Sequence, residues 1–335
     1  MPKLLAIFGA TGQQGGSIVD FVLNDPLLSK EYTVRGITRD PSSPSAQSLK
    51  AKNVQVVSGD VTDPSSLTTA LKDAHTVFAL TAPSFGPDSR AREFATGKAI
   101  ADAAVANGAS YIILSTLPNV TALSNNKYTK VTSFDAKADV EAYIRTLPSI
   151  KSAFFAPGSF MQNFQSIMAP RPATTTITTT TTTTGTPSAG EFPGDCEFVV
   201  ARHVSPETQL PLIDTVSDTG KFVGAILADP DKYEGKTFCA ATKLYSLADM
   251  CRIMSEKSGK TVKYVQLSKE KFREALTGQV GDYADILIEM MSYQQDFGYY
   301  GPKTEELVAW AVKNARGKVT TFEEYLEKHP IPALQ

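Results

Sequence analysis

Four glycines near the start of the chain have a spacing that points to a specific chemistry. Residues 3–18 read KLLAIFGATGQQGGSI, which is an apolar run of strand length, a turn with four glycines, and the start of a helix pattern. A strand, a glycine-rich turn and a helix together predict a dinucleotide-binding turn. The N–H groups and the dipole at the start of such a helix attract phosphate. An ordinary glycine-rich connection between strand and helix is the alternative.

Each glycine of this turn is expected to have its own role. Gly9 permits a tight turn after the strand, and Gly12 lets a pyrophosphate approach the backbone. Gly15 and Gly16 allow the helix to pack closely on the strand. The residues of this turn that we predict to bind the cofactor are Gly9, Thr11, Gly12, Gln13, Gln14 and Gly15.

The end of the second predicted strand, residues 32–38, indicates which dinucleotide is preferred. Arg35, Thr38 and Arg39 lie at or near this end, and Asp40 is the only acidic residue nearby. A guanidinium and a hydroxyl suit a 2′-phosphate, whereas an acidic residue would suit the ribose hydroxyls. The proline after Asp40 is expected to turn that carboxylate away, so the sequence predicts NADP(H) over NAD(H). A solvated loop arginine is the alternative for Arg39.

Further candidates follow the other strands. Asp60 and Val61 follow the third strand, Thr81 follows the fourth, and an aromatic segment at 157–164 follows the sixth. Ligands bind at the carboxyl ends of parallel strands, so we expect the first two near the adenine and Thr81 near the nicotinamide half. Loop chemistry alone would explain Asp60 almost as well. The aromatic segment, whose cofactor-binding candidates are Phe160 and Asn163, suits a pocket wall and a packed connection equally.

The alternation of strands and helices defines the fold class. Parallel strands joined by helices imply an α/β protein with a Rossmann doubly wound parallel sheet and a smaller α/β C-terminal lobe. We assign residues 1–156 to the NAD(P)-binding domain, with later strands completing its sheet, and residues 157–335 to the smaller lobe. The predicted strands of the first domain are residues 4–8, 32–38, 54–58, 76–80, 111–114 and 151–156.

The segment 171–191 differs from the rest of the chain. Ten threonines and one isoleucine fill positions 174–184, and prolines and glycines flank them. Threonine favours strands, but the segment has no apolar alternation to bury. We therefore predict a low-complexity surface insertion, with an ordered edge strand as the alternative.

Composition limits the possible functions. The net charge is −2 and the 33 Lys and Arg residues are dispersed, which argues against direct nucleic-acid binding. No apolar run approaches the ~20 residues of a membrane helix, and the N-terminus has no leader pattern. We expect a soluble protein in the cytoplasm, with the nucleus as a second compartment. Three cysteines and three histidines are too scattered to predict a metal site or a disulfide framework.

The sequence resembles the NmrA-like family, whose members are atypical relatives of the short-chain dehydrogenases/reductases. The resemblance rests on six features in order along the chain: residues 9–16, 38–41 and 59–60, Lys137, and residues 157–164 and 213–220. It implies an NAD(P)-binding Rossmann domain with a small α/β lobe. Members of the family are either redox-sensing regulators that contact other proteins or NADPH-dependent reductases of small hydrophobic compounds.

The resemblance makes Lys137 the candidate catalytic residue and a cofactor ligand. In the wider superfamily, a lysine on this helix binds the nicotinamide ribose and lowers the pKa of a tyrosine four residues earlier, which transfers a proton. Here that position is Ser133, a much poorer general acid, followed by Phe134. Tyr128 in the preceding loop is a substitute that the spacing does not require. A solvated helix lysine is the alternative for Lys137.

The missing tyrosine favours a binding protein over an enzyme and so ranks two functional hypotheses. The first is an NADP(H)-binding regulator that responds to redox state through protein partners. The second is an NADPH-dependent reductase of a small hydrophobic carbonyl or quinone, because hydride transfer mainly needs a well-placed nicotinamide and acceptor. In that case Lys137 would orient the cofactor and the substrate.

Overall fold

The computed structural model of the chain describes residues 1–83, 86, 88–173, 196–280 and 283–335. Strands and helices alternate in the first half. The elements there are β1 (Lys3–Phe8), α1 (Gln13–Asn24), α2 (Leu28–Glu31), β2 (Tyr32–Thr38), α3 (Pro44–Ala51), β3 (Gln55–Ser58), α4 (Pro64–Ala70), β4 (Thr76–Ala79), α5 (Ser89–Ala106), β5 (Tyr111–Ser115), α6 (Val120–Leu123), α7 (Thr132–Arg145) and β6 (Lys151–Pro157).

The second half contains shorter strands and most of its helices lie towards the end. Two 3-10 helices cover Met161–Gln165 and Pro332–Leu334. The other elements are β7 (Ser159–Phe160), β8 (Arg171–Pro172), β9 (Phe198–Arg202), β10 (Gln209–Ile213), α8 (Thr215–Ala228), β11 (Thr237–Ala240), β12 (Lys243–Ser246), α9 (Leu247–Ser258), β13 (Val262–Gln266), α10 (Lys269–Val280), α11 (Tyr283–Phe297), α12 (Thr304–Asn314) and α13 (Phe322–Lys328).

A seven-stranded sheet in the order β11-β6-β5-β4-β1-β2-β3 organises the molecule. All of its neighbouring strands pair in parallel. The strand order reverses between β1 and β4, which places a crevice at the carboxyl ends of these two strands. The Rossmann doubly wound sheet predicted from the sequence is confirmed, and β11 is a strand from the second half of the chain that completes it.

The apolar alternation of β1 explains how helices cover both faces of the sheet. Leu5 and Ile7 are fully buried on the face that α1 and α8 cover, and Ala6 and Phe8 pack on the opposite face with α5 and α7. Burial on both faces is what a parallel sheet requires. The sheet is therefore a rigid base for the loops at its carboxyl edge.

In the part of the chain that the structure describes, the other strands form two three-stranded sheets, in the orders β12-β10-β7 and β13-β9-β8. Helix α8 leaves this region and packs on α1, where a Cβ atom at Gly220 would lie 2.4 Å from the Cβ of Phe21. The Gly220 N–H also donates to Ser17 Oγ at 3.0 Å. A glycine at the crossing therefore lets the second half of the chain contact the first helix closely.

The structure corrects two local expectations. Arg171 and Pro172 pair antiparallel with β9, so the segment predicted as an insertion from residue 171 begins with a strand. Residues 174–191 of that segment lie outside the described residues. The pattern of residues 216–227 predicts a helix with Ser217 as its cap, but helix α8 begins at Thr215 and is capped by Asp214, which accepts from the Ser217 N–H at 3.2 Å.

Other local expectations are confirmed or stay open. The spacing of Thr321 and Glu324 predicts a capped last helix, and the two residues form the capping box of α13. The division of the chain at residue 156 stays a prediction. Within the described ranges, no helix combines the length and the apolar character needed to cross a membrane.

Candidate functional site

The turn between β1 and α1 has the geometry of an anion-binding turn. Gly9 has a φ of +64°, and the Gly12 N–H donates to the Gly9 carbonyl oxygen at 2.9 Å. Gly12 is the N-cap of α1 and provides no side-chain cap, and the first turn of α1 contains no acidic residue. The first N–H groups of the helix thus have no side-chain acceptor, and the helix dipole favours an anion there.

Gly15 holds the turn against the helix. A Cβ atom at this position would lie 2.3 Å from the carbonyl oxygen of Gly9 and 2.8 Å from the Cα of Ala10. Any side chain would therefore push the helix off the turn. At Gly16 the nearest atom to a Cβ would be the Ala10 carbonyl oxygen at 3.7 Å, an ordinary contact. The close-packing role predicted for both glycines holds only for Gly15.

The remaining residues of this turn face outward or link it to the sheet. Thr11, Gly12 and Gln13 are exposed. The Gln14 side-chain oxygen accepts a hydrogen bond from Ser115 Oγ at 2.8 Å. Because Ser115 is the last residue of β5, this bond ties the turn to the middle of the carboxyl edge of the sheet.

The three residues predicted to bind a 2′-phosphate at the end of β2 have different surroundings. Arg35 is buried and donates to the carbonyl oxygens of Ala70 and Lys72 at 3.0 and 2.6 Å. Its guanidinium therefore binds carbonyl groups at the C-terminal end of α4. The prediction that Arg35 lies at or near the end of β2 and binds a 2′-phosphate there is wrong. Arg39 is exposed at that tip and makes no hydrogen bond or ion pair within the described ranges. Thr38 Oγ1 accepts from the Asp40 N–H at 3.3 Å.

The two acidic residues near this tip have their carboxylates engaged locally. Asp40 Oδ1 accepts from the N–H of Ser42 at 2.8 Å and from its hydroxyl, and these bonds hold the pKa of Asp40 below its usual value. Asp60 Oδ1 accepts from the N–H and the hydroxyl of Thr62 at 2.9 and 2.8 Å, which likewise lowers the pKa of Asp60. Local loop bonds thus account for Asp60, and its contact with an adenine stays a prediction.

Val61, the neighbour of Asp60, packs partly buried against the apolar core on the α5 face of the sheet. Its side chain therefore helps to hold the loop after β3 in place. A contact with the adenine, like that of Asp60, stays a prediction.

Lys137 lies in a buried polar network with Thr81 and Glu93, which we call the lysine network. Its ammonium group donates to the carbonyl oxygen and to Oγ1 of Thr81, both at 3.0 Å, and forms an ion pair with Glu93. Thr81 Oγ1 donates to the same Glu93 oxygen, Oε1, at 2.6 Å. Only 10% of the lysine side chain and 1% of the glutamate side chain are exposed, so Lys137 is not a solvated helix lysine.

Burial and the ion pair act on the lysine in opposite directions. Burial lowers the pKa of Lys137 and the nearby Glu93 carboxylate raises it, with burial the larger effect. The ammonium is therefore less firmly protonated than that of a surface lysine. The Glu93 carboxylate accepts a hydrogen bond from this ammonium group.

The crossing of α5 and α7 brings this pair together. Gly97, one turn after Glu93 on α5, faces Val140 on α7, and a Cβ atom at Gly97 would lie 2.4 Å from a Val140 methyl group. Next to this contact, Arg90 on α5 donates to both carboxylate oxygens of Asp139 on α7 at 2.6 and 2.9 Å. The glycine and the bidentate ion pair together fix the separation of the two helices.

In the described part of the network no tyrosine hydroxyl contacts Lys137, and the hydroxyl bonded to its ammonium group is that of Thr81. Ser133 lies four residues before Lys137 at the start of α7. The hydroxyl of Tyr128 donates to Asp296 on α11 at 2.6 Å and makes no hydrogen bond to Lys137. Burial and the Asp296 carboxylate both raise the pKa of Tyr128. Tyr128 is thus directed towards α11 and is a poor proton donor.

The aromatic segment after β6 is both a packed connection and a partly exposed wall. Met161 and Phe164 are buried in the core of the second half of the chain, whereas Phe160 and Asn163 keep partial exposure. Gln162 donates to Asp214 Oδ1 at 2.7 Å, which ties the segment to the start of α8. Contacts of Phe160 and Asn163 with a cofactor stay predictions.

Sequence reasoning missed Glu93. A signal existed, because Ser89, Glu93 and Gly97 follow one another at intervals of four on the buried face of α5. An acidic residue at an apolar position of a helix needs a buried partner. The identity of that partner depends on the helix crossing and could not be read from the spacing. In the described part of the chain, no group of three or more His, Cys, Asp or Glu side chains could hold a metal ion.

These features define a Rossmann-type α/β protein with a glycine-rich β1–α1 turn and a buried lysine at the carboxyl edge of its sheet. The chain belongs to the NmrA-like family, whose model matches residues 1–326. The resemblance seen in the sequence is thus confirmed across nearly the whole chain.

Three relatives illustrate the breadth of this family. An NmrA-like family domain-containing protein of Dictyostelium discoideum is 26% identical over 333 residues, covering 98% of each chain. The NmrA-like family domain-containing oxidoreductase ptmS of Penicillium ochrochloron is 27% identical, covering 99% of this chain and 95% of the relative. The crystal structure of NmrA, a negative transcriptional regulator, matches with a TM-score of 0.75 at 23% identity, covering 99% of this chain and 96% of that one. NmrA has also been solved in complex with NAD and with NADP.

Proposed function

We propose that this protein binds NADP(H) and acts as a redox-responsive regulator through protein partners. The cofactor part of the proposal rests on the β1–α1 turn. The uncapped start of α1, the absence of an acidic residue in its first turn and the close contact at Gly15 suit a diphosphate against the helix amides. The complexes of the structural neighbour NmrA with NAD and with NADP support dinucleotide binding.

The preference for NADP(H) rests on Arg39. This exposed guanidinium at the tip of β2 makes no ion pair within the described ranges, so it can bind a 2′-phosphate without breaking another contact. Asp40, which would favour ribose hydroxyls, is engaged by Ser42. Thr38 can add a hydroxyl donor at the same tip.

The regulatory part of the proposal rests on one observation, the closed lysine network. A bound nicotinamide supplies or accepts a hydride, and a side chain that transfers a proton to the acceptor makes a reductase more efficient. The Lys137 ammonium is bonded to Thr81 and Glu93, and Tyr128 is bonded to Asp296. This arrangement suits a lysine that holds the cofactor, with the cofactor state passed on by contact with a protein partner.

A reductase of a small hydrophobic carbonyl or quinone is the second candidate. The name of the Penicillium relative, an oxidoreductase, favours it. The lowered pKa of Lys137 also favours it, because a less firmly held proton is easier to transfer. In this candidate Lys137 orients cofactor and substrate, and Phe160 and Asn163 belong to the pocket wall.

NADPH binding and NADPH oxidation on the same samples separate the two candidates. Calorimetry should detect saturable NADPH binding to the wild type, and a panel of quinones and aldehydes should give no turnover above background. Lys137→Ala should weaken binding, whereas Lys98→Ala, an exposed lysine on α5 paired with Asp102, should not. Robust turnover that Lys137→Ala abolishes would contradict the regulator and support the reductase.

A further inference from the structure

A small cavity in the second half of the chain is lined by a partly buried arginine that has no carboxylate partner within the described ranges. The cavity has a volume of about 60 Å³. Apolar side chains form most of its wall, and four polar side chains interrupt them. The lining residues are Ser159, Met168, Arg202, Val204, Thr208, Leu210, Leu247, Met290, Met291 and Gln294.

Arg202, the last residue of β9, is the charged member of this lining. The only side-chain hydrogen bond of Arg202 within the described ranges is from Nη1 to the Ala201 carbonyl oxygen at 2.8 Å, which leaves most of the guanidinium N–H donors unused. The guanidinium also lies 6.0 Å from the ring centre of Phe272. Burial lowers the pKa of Arg202, and the like charge of Arg171 lowers it further. A partly buried cation with few hydrogen-bond partners gains stability when an anion joins it.

The other polar groups of the lining also have unused hydrogen-bonding capacity. Thr208 Oγ1 is buried without a hydrogen-bond partner. Within the described ranges, the hydroxyl of Ser159 makes one hydrogen bond, a long one of 3.9 Å to the sulfur of Met168. Gln294 is buried, and its side-chain amide makes no hydrogen bond within the described ranges. A cation, two hydroxyls and an amide thus surround one small space with few partners of their own.

We propose that this cavity binds the carboxylate of a small organic acid whose remaining atoms are apolar. A carboxylate accepts two parallel N–H bonds from a guanidinium and still has lone pairs for hydroxyl and amide donors. The flexible methionines at positions 168, 290 and 291 suit a short apolar tail of variable shape. An apolar wall with a few convergent polar groups is the usual composition of a small-molecule site.

The position of the cavity makes it separate from the β1–α1 turn. Ser159 begins β7 and precedes Phe160, the candidate cofactor contact, so one end of the cavity lies beside the predicted pocket wall. The other lining residues come from the second half of the chain, beyond β7. The proposal therefore holds whether the protein is a regulator or a reductase, and it does not depend on dinucleotide binding.

Propionate and its neutral analogue propionamide test the proposal on the full-length protein. Ligand-observed NMR at constant ionic strength should detect propionate binding with a Kd on the order of millimolar, as suits a five-atom ligand. Propionamide, which has the same shape without the charge, should bind at least about tenfold more weakly. Equal binding of the two compounds would overturn the proposal. So would the absence of propionate binding at roughly 50 mM, which is about 50 times the expected Kd.

Two variants locate the binding at the cavity. Arg202→Met should reduce propionate affinity at least about tenfold, and Thr208→Val should reduce it severalfold. Arg273→Gln, which removes an arginine on α10 that pairs with Asp285 outside the cavity, should leave the affinity unchanged. Propionate binding that is the same in Arg202→Met and in the wild type would overturn the assignment.

The melting temperature separates a ligand-binding arginine from a structural one. Arg202 is partly buried and has no counter-charge within the described ranges, so its removal should leave the melting temperature of Arg202→Met within about 3 °C of the wild-type value or raise it. A fall of about 10 °C or more would mean that Arg202 already has an internal partner, and the proposal would fail. If that variant does not fold, Thr208→Val and the comparison of propionate with propionamide on the wild type still decide the matter.

Discussion

The β1–α1 turn and the lysine network lie at the same edge of the parallel sheet but are built from different contacts. The turn is local, because Gly9, Gly12 and Gly15 contact one another within seven residues of chain. The lysine network is non-local, because Lys137 is 44 residues from Glu93 and 56 residues from Thr81. The turn therefore follows from spacing alone, whereas the network depends on how α5 and α7 cross.

The two regions also differ in how they meet a ligand. The turn presents backbone N–H groups that have no side-chain acceptor, so it can receive an anion without rearranging. The lysine network is already satisfied internally, so a ligand that binds Lys137 must replace Thr81 or Glu93 as its partner. The comparison predicts a rigid turn and a lysine whose role depends on its buried partner.

The largest expected effect is at Gly15. Gly15→Val should destabilise the protein by about 3 kcal/mol or more, because its Cβ would collide with the Gly9 carbonyl oxygen. Urea unfolding measures this. The control is Gly16→Ala, which meets only an ordinary contact and should raise stability by about 0.5 kcal/mol through helix propensity. Similar losses for the two variants would show that the turn is not packed as described.

The lysine network gives the next effect. Glu93→Gln should lower the free energy of unfolding by about 3 kcal/mol, because it leaves the buried Lys137 ammonium without a counter-charge. The double variant Lys137→Met/Glu93→Leu, which removes both charges, should recover most of that loss in urea unfolding. A Glu93→Gln protein as stable as the wild type would mean that the two groups are not paired.

A smaller effect is expected at Arg39, which lies at the end of β2 on the same edge of the sheet, and it concerns the preference for NADPH over NADH. Arg39→Gln should raise the Kd of NADPH about ten- to a hundredfold and change that of NADH less than about twofold, because only NADPH has a 2′-phosphate. Asp40→Asn should leave both affinities nearly unchanged, since its carboxylate is bonded to Ser42. Calorimetry with both cofactors measures these values, and an equal loss for NADPH and NADH would refute the role of Arg39.

The smallest effect concerns His203, which like Lys137 acquires its surroundings from distant segments. It stacks on Phe272 with ring centres 5.0 Å apart and bonds to Ser292, and burial lowers the pKa of His203 to about 4. This folded-state pKa lies below the unfolded value of about 6.5. The neutral ring therefore contributes fully to the free energy of unfolding above pH 6.5, and this contribution is lost as the pH falls towards 4. Between pH 7.5 and 5, the free energy of unfolding of the wild type should fall by about 1 kcal/mol relative to that of His203→Gln, allowing for solvent screening. A pH-independent difference in urea unfolding would contradict this.

The contrast between local and non-local contacts explains what the sequence could reveal. The strand alternation, the role of Gly15 and the capping box at Thr321 depend on neighbours within a few residues and were predictable. Arg35 was misplaced because its alignment with the end of α4 depends on how β2 packs against that helix. Glu93 and the cavity at Arg202 unite segments far apart in sequence, which periodicity and spacing cannot join.

The most direct test of the account is NADPH calorimetry on the wild type and Gly12→Ala. Gly12 has extended backbone angles that any residue adopts, and its added Cβ would lie 3.3 Å from the Gly9 carbonyl oxygen, so the variant should fold. The added methyl group would nevertheless stand where the diphosphate approaches the backbone. We predict saturable binding to the wild type and at least about tenfold weaker binding to a variant that melts within about 3 °C of it. Absence of binding to the wild type, or equal affinity for both proteins, would contradict the assignment of this turn.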